Sequence, residues 1–142
     1  MTRHTAALAL ALALTGATVA GARTETKREY EARFVAMMEI AERIDDLARQ
    51  HLGDRALLAY AHTMAAANAS AAEQMTPSKE YSALHPHFLL VLENIERSLF
   101  YAAGGKMERY RHFQKLKRKE LQVLEELADR AGLDLYRLGR GC

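Results

Sequence analysis

TKREYEARFVAMMEIAERIDDLARQ, residues 26–50, decides the fold class. Thr26 followed three residues later by Glu29 is a capping box, in which the hydroxyl oxygen and the carboxylate each accept from a free backbone N–H of the first helical turn. Apolar residues then recur at Tyr30, Phe34, Met37, Ala41, Ile44 and Ala48. Alternating steps of four and three residues hold one stripe on one face of an α-helix, whereas a half-buried strand would alternate every second residue. A stripe sustained over this length predicts a long helix that buries one side against others like it.

Downstream, the same spacing returns three times. Gly53 supplies a stop and Asp54 a cap for a second helix running to about Met75, with Leu57, Leu58, Ala61, Met64, Ala65 and Ala72 assigned to the core. Thr76-Pro77 breaks it. Tyr81, Leu84 or His85, Phe88, Leu92, Ile95, Leu99 and Ala102 then keep phase across Pro86, which predicts one third helix kinked near that proline, with a fresh start at Pro86 as the alternative. Gly104-Gly105 closes it. A fourth helix runs from about Lys106 to Ala131, its stripe made by Tyr110, Phe113, Leu121, Leu124 and Ala128, and Gly132-Leu133 fits a Schellman ending. Short links between helices of similar length predict an all-α, antiparallel up-down-up-down four-helix bundle. The chain has no repeat of the kind that builds a solenoid.

Upstream, residues 1–22 read as an export signal rather than as part of the fold. Arg3 and His4 form a basic start, Ala6 to Leu14 an uncharged Ala/Leu run, and Ala20-Gly21-Ala22 a small-x-small site, so cleavage is expected after Ala22. The run is short of the roughly 20 apolar residues that span a bilayer. No paired arginines precede it, which favours the general secretory route and a periplasmic or extracellular product with no membrane span. The expected layout is a signal peptide over 1–22, a bundle over 23–133 and a tail over 134–142. Loss of Arg3 lowers the formal charge from +2 to +1, a balance that predicts no nucleic-acid partner. Cys142 is the only cysteine of the chain, so an internal disulfide is excluded and packing must supply stability.

The motifs that carry chemistry in helical bundles are missing. A di-iron centre needs Glu-x-x-His pairs pointing inward, and none occurs; Glu39, Glu42, Asp45 and Asp46 fall between the stripe positions and are expected to face outward. Covalent haem needs Cys-x-x-Cys-His. No Gly-x-Ser-x-Gly elbow or phosphate-binding glycine loop is present, so no catalytic residue and no cofactor is assigned, and a non-enzymatic chain is expected. The alternative is a metal-binding or metal-sensing bundle using His62, His85 and His87. Against it, His85 would face the core and bond a carbonyl freed by Pro86, with His87 in solvent. Asn68-Ala69-Ser70 matches a glycosylation sequon but lies within a predicted helix.

The fourth helix has an unusual order of charge. Lys106, Arg109, Arg111, Lys115, Lys117, Arg118 and Lys119 crowd its first half, and Glu120, Glu125, Glu126 and Asp129 its second. The helix dipole favours the reverse. One explanation is internal: beside an antiparallel first helix, the basic half would meet Glu39, Glu42, Asp45 and Asp46, while Lys27, Arg28 and Arg33 would meet Glu125, Glu126 and Asp129. The other is functional, with Arg109, Arg111 and Lys115 meeting an anionic cell-envelope surface or protein partner. Leu89, Leu90, Phe100 and Tyr101 lie outside the apolar stripe of the third helix and are the candidate apolar contacts for such a partner.

Overall fold

A computed structural model describes residues 23–133 and Leu135. Among them there are four α-helices and no strand: α1 (Lys27–Gln50), α2 (Arg55–Glu73), α3 (His85–Ala103) and α4 (Met107–Arg130), with a 3-10 turn at Lys79–Tyr81. The all-α four-helix architecture is therefore present. The expected signal peptide, the tail beyond Leu135 and Cys142 lie outside the described residues. No helix among the described residues is long and apolar enough to cross a membrane.

Local chemistry sets the helix ends. Both halves of the capping box form, with the Thr26 hydroxyl accepting from Glu29 N–H and the Glu29 carboxylate accepting from Thr26 N–H, a bond that holds the Glu29 carboxyl below its ordinary value. Asp54 caps α2 by accepting from Leu57 N–H at 2.9 Å. Gly132, at φ +73°, closes α4 as Leu133 N–H reaches back to the Ala128 carbonyl at 2.9 Å, the expected Schellman ending.

The third helix differs from expectation. No kinked helix runs from Pro77 through Pro86; α3 starts at His85 and Pro86 occupies its first turn. The reason is that proline has no N–H and its ring clashes with the preceding turn inside a helix, whereas the first turn leaves its N–H groups unpaired anyway. The apolar phase survives because the 3-10 turn, held by Tyr81 N–H to the Ser78 carbonyl and Leu84 N–H to the Tyr81 carbonyl, keeps Tyr81 and Leu84 on the buried side.

Helix α3 is the centre of the packing, lying most extensively against α4 and α2. Buried aromatics tie α1 to it and to the turn before it: Phe34 packs on Phe88 of α3 with ring centroids 4.7 Å apart, and Tyr30 stacks on Tyr81 of the 3-10 turn at 4.8 Å. Other contacts set the register: Asn68 Nδ2 donates to the Met37 carbonyl at 3.0 Å, Arg55 Nε to the Ala103 carbonyl at 3.2 Å, and Tyr101 stacks on Phe113 at 5.4 Å. Asn68 is thus a buried link between α1 and α2, and its amide is not presented for glycosylation. Small side chains Ala61, Ala65 and Ala72 form the buried side of α2 together with Leu58 and Asn68. Met64, assigned to the core from its spacing, is instead 37% exposed, and in α1 Met38 rather than Met37 is the buried methionine.

Candidate functional site

The basic half of α4 is displayed, not neutralised. Lys106, Arg109, Arg111, Lys115, Arg118 and Lys119 are all exposed, and none forms an ion pair with a described residue. Lys117 alone follows the internal explanation, reaching Asp45 of α1 at 2.7 Å. The acids and bases expected opposite one another find other partners: Asp46 pairs with Arg49 in its own helix, Arg33 with Glu25, and Lys27 with Glu31 and Glu80. The charge order of α4 is therefore not explained by α1. The first turn of α4 also lacks a side-chain cap, so Lys106 and Arg109 meet the positive end of the helix dipole with Glu108 as the one acid of that turn.

Beside these cations a chain of aromatic rings crosses three helices. His62 of α2 lies 5.5 Å from Phe100 of α3, Phe100 lies 5.3 Å from Tyr101, and Tyr101 stacks on Phe113 of α4, over which the Arg97 guanidinium sits at 5.7 Å. Phe100 is 56% exposed. His62, Phe100 and Tyr101, with Ala59, Ala103 and Lys106, border a pocket of about 310 Å³ at the α3–α4 turn. Leu90 is exposed and Leu89 half-buried, both nearer the start of α3 and outside this pocket. Of the proposed partner contacts, Phe100 and Tyr101 thus adjoin the basic start of α4. Leu89 does not join them.

The three histidines are not brought together. His62 pairs with Glu96 at 3.6 Å, His87 is half-buried against Glu120 at 2.9 Å, and His85 shares a 3.1 Å hydrogen bond with the buried Tyr30 hydroxyl. Neither the carbonyl partner expected for His85 nor the solvated state expected for His87 is found. The reason is the fresh start of α3, which frees no carbonyl and turns His85 toward α1. Among the described residues no group of three or more His, Cys, Asp or Glu is arranged to hold a metal ion.

His85 has a consequence for stability. Burial pushes its imidazole below the ordinary value, with Glu25 opposing, while burial raises the Tyr30 hydroxyl. The unfolded chain then takes up a proton at His85 more readily than the fold does. Stability should fall as pH drops through about 6.5 toward the lower folded value, and remain full above it. Denaturation midpoints measured at about pH 7.5 and 5.5 should show a larger acid loss for the wild-type chain than for His85→Gln. Equal losses would contradict this assignment.

Sequence reasoning missed a buried polar cluster. Asp45, expected to face outward, is 3% exposed; it accepts from Gln114 Nε2 at 2.6 Å and from Lys117 Nζ at 2.7 Å. Gln114 also donates to Ser98 Oγ at 3.0 Å, and the Ser98 hydroxyl donates to the Ile95 carbonyl at 2.8 Å. The signal was present in α4, where Tyr110, Gln114, Lys117, Leu121, Leu124 and Ala128 keep the four-and-three spacing with two polar members. Next to the cluster, α1, α3 and α4 leave a cleft of about 230 Å³ with Met38, Val91, Ile95 and Leu121 among its walls. Loss of solvent there, and then Asp46, raises the Glu42 carboxyl.

No family model, no curated protein and no solved structure matches the chain.

Proposed function

We propose that the chain is an exported, non-enzymatic binding module, secreted by the general route to the periplasm or the extracellular space, that holds an anionic cell-envelope or protein partner on the basic half of α4. One observation carries this reading: Lys106, Arg109, Arg111, Lys115, Arg118 and Lys119 are exposed and without ion-pair partners among the described residues, and Lys106 and Arg109 stand at the first turn, where the helix dipole disfavours them. Fixed cations without internal partners raise the local concentration of an anionic ligand, and six of them crowd this half of α4. Export is supported by the three-part pattern of residues 1–22. An up-down-up-down order with antiparallel neighbours is supported by the registers: Met37 with Asn68 and Arg33 with Ala71, Arg55 with Ala103 and His62 with Glu96, and Tyr101 with Phe113 and His87 with Glu120.

The test is binding of the purified protein to an isolated cell-envelope fraction at low and high salt. Neutralising Arg109, Arg111 and Lys115 to Gln together should weaken binding about tenfold or more, since each basic residue near an anionic surface contributes on the order of 1 kcal/mol. Raising salt should have a similar effect, because the screening length shrinks to about 10 Å at 0.1 M. Binding unaffected by both changes would overturn the assignment of this face.

A further inference from the structure

We propose that the anionic partner is a phospholipid surface, and that Phe100 with the pocket around it is the apolar half of the contact. The inference rests on the reading of α4 as an anion-binding face and adds a second element to it. Lys106 belongs to both: it borders the pocket with Ala59, His62, Phe100 and Tyr101, and it begins α4, where Arg109 and then Phe113 follow on the same side at helical spacing. The pocket wall is largely apolar, and Phe100 stands 56% exposed at its edge. A ring placed in this way gains nothing against a soluble polyanion, which offers only hydrated charge. At a bilayer it enters the acyl boundary while Lys106 and Arg109 beside it meet phosphates at headgroup depth, the arrangement that holds interfacial proteins. Tyr101, stacked on Phe113 at 5.4 Å, adds an amphipathic ring suited to the same depth. A second copy of the chain is a poor occupant, because a two-fold contact would set this basic face against itself.

The chain contains no tryptophan, so Phe100→Trp creates a single fluorescent reporter at the proposed contact. Phe100 is exposed, so neither this variant nor Phe100→Ala should disturb folding, which circular dichroism checks. With vesicles of phosphatidylglycerol and phosphatidylcholine, the emission of Phe100→Trp should shift to the blue and be quenched by brominated acyl chains. Vesicles of phosphatidylcholine alone should produce neither change. Phe100→Ala should lower vesicle partitioning about tenfold, in line with the apolar area of one ring, and leave binding to soluble polyphosphate unchanged. A tryptophan at position 100 that stays in water on bound vesicles, or a Phe100→Ala variant that partitions like wild type, would overturn the inference. Binding to polyphosphate without binding to anionic vesicles would also overturn it while leaving the basic face of α4 standing. Failure to bind either probe would remove the support for both proposals.

Discussion

Replacing Phe34 by Ala should lower the unfolding free energy by about 4 kcal/mol, the largest single loss expected in this protein. Phe34 has no solvent exposure, lies 4.7 Å from Phe88 and 6.1 Å from Tyr30, and sits where α1 closes over the start of α3. Truncation removes the apolar transfer of a whole ring and leaves a void, because flanking rings on two separate helices cannot both move to fill it. Against a total stability of roughly 5–15 kcal/mol for a domain, that loss removes a large share. Urea denaturation should show a lower midpoint with an unchanged slope. A loss below about 1 kcal/mol would mean that α1 does not pack on α3 as described.

Asp45→Ala should cost roughly 3 kcal/mol for a different reason. The carboxylate is the shared acceptor of Gln114 and Lys117, and the Lys117 side chain is only 16% exposed, so removing Asp45 strands a cation and an amide that water reaches poorly. The double replacement Asp45→Leu with Lys117→Met should recover most of the loss, since a buried pair exchanged for apolar groups of similar size is often neutral. Full cost in Asp45→Ala with recovery in the double variant identifies the ion pair. A cost in Asp45→Ala below about 1 kcal/mol would place the pair in effective contact with solvent.

The residues of this cluster show why part of the molecule was legible and part was not. Phe34, Phe88, Leu99 and Leu124 are apolar at helical spacing, and each is buried where its spacing put it. Asp45 lies next to Ile44 in the sequence, and its charge alone suggested an outward direction. In the fold both residues are buried, Asp45 because Gln114 and Lys117 reach across from α4 and cover its carboxylate. The error on α4 has the same origin. Acidic and basic segments in two helices suggested a charged seam, but a seam also depends on the distance and rotation between the helices, and only Lys117 turns toward α1. The exposed aromatic pocket was half-visible: Phe100 and Tyr101 fell outside the stripe, while the approach of His62 and Lys106 to them depends on how α2 and α4 sit against α3.

The sequence by itself determined the four helices and most of their ends, the start of α3 at His85 excepted. Periodicity, capping oxygens, proline and glycine act within a few residues, and their energies do not depend on the rest of the chain. It also determined the opposed charge halves of α4 and the three-part pattern of residues 1–22 on which the proposal of export rests. Only the tertiary structure decided which polar side chains are buried, which histidines lie apart, and which cations remain without partners. Those outcomes depend on helix rotation and separation, which are set by the close packing of side chains from different helices. Burial of Asp45 is tolerable because Gln114 and Lys117 arrive from α4 and Arg49 approaches from α1 itself, and the other cations of that half of α4 remain open because Asp45 is the one α1 acid paired with it among the described residues.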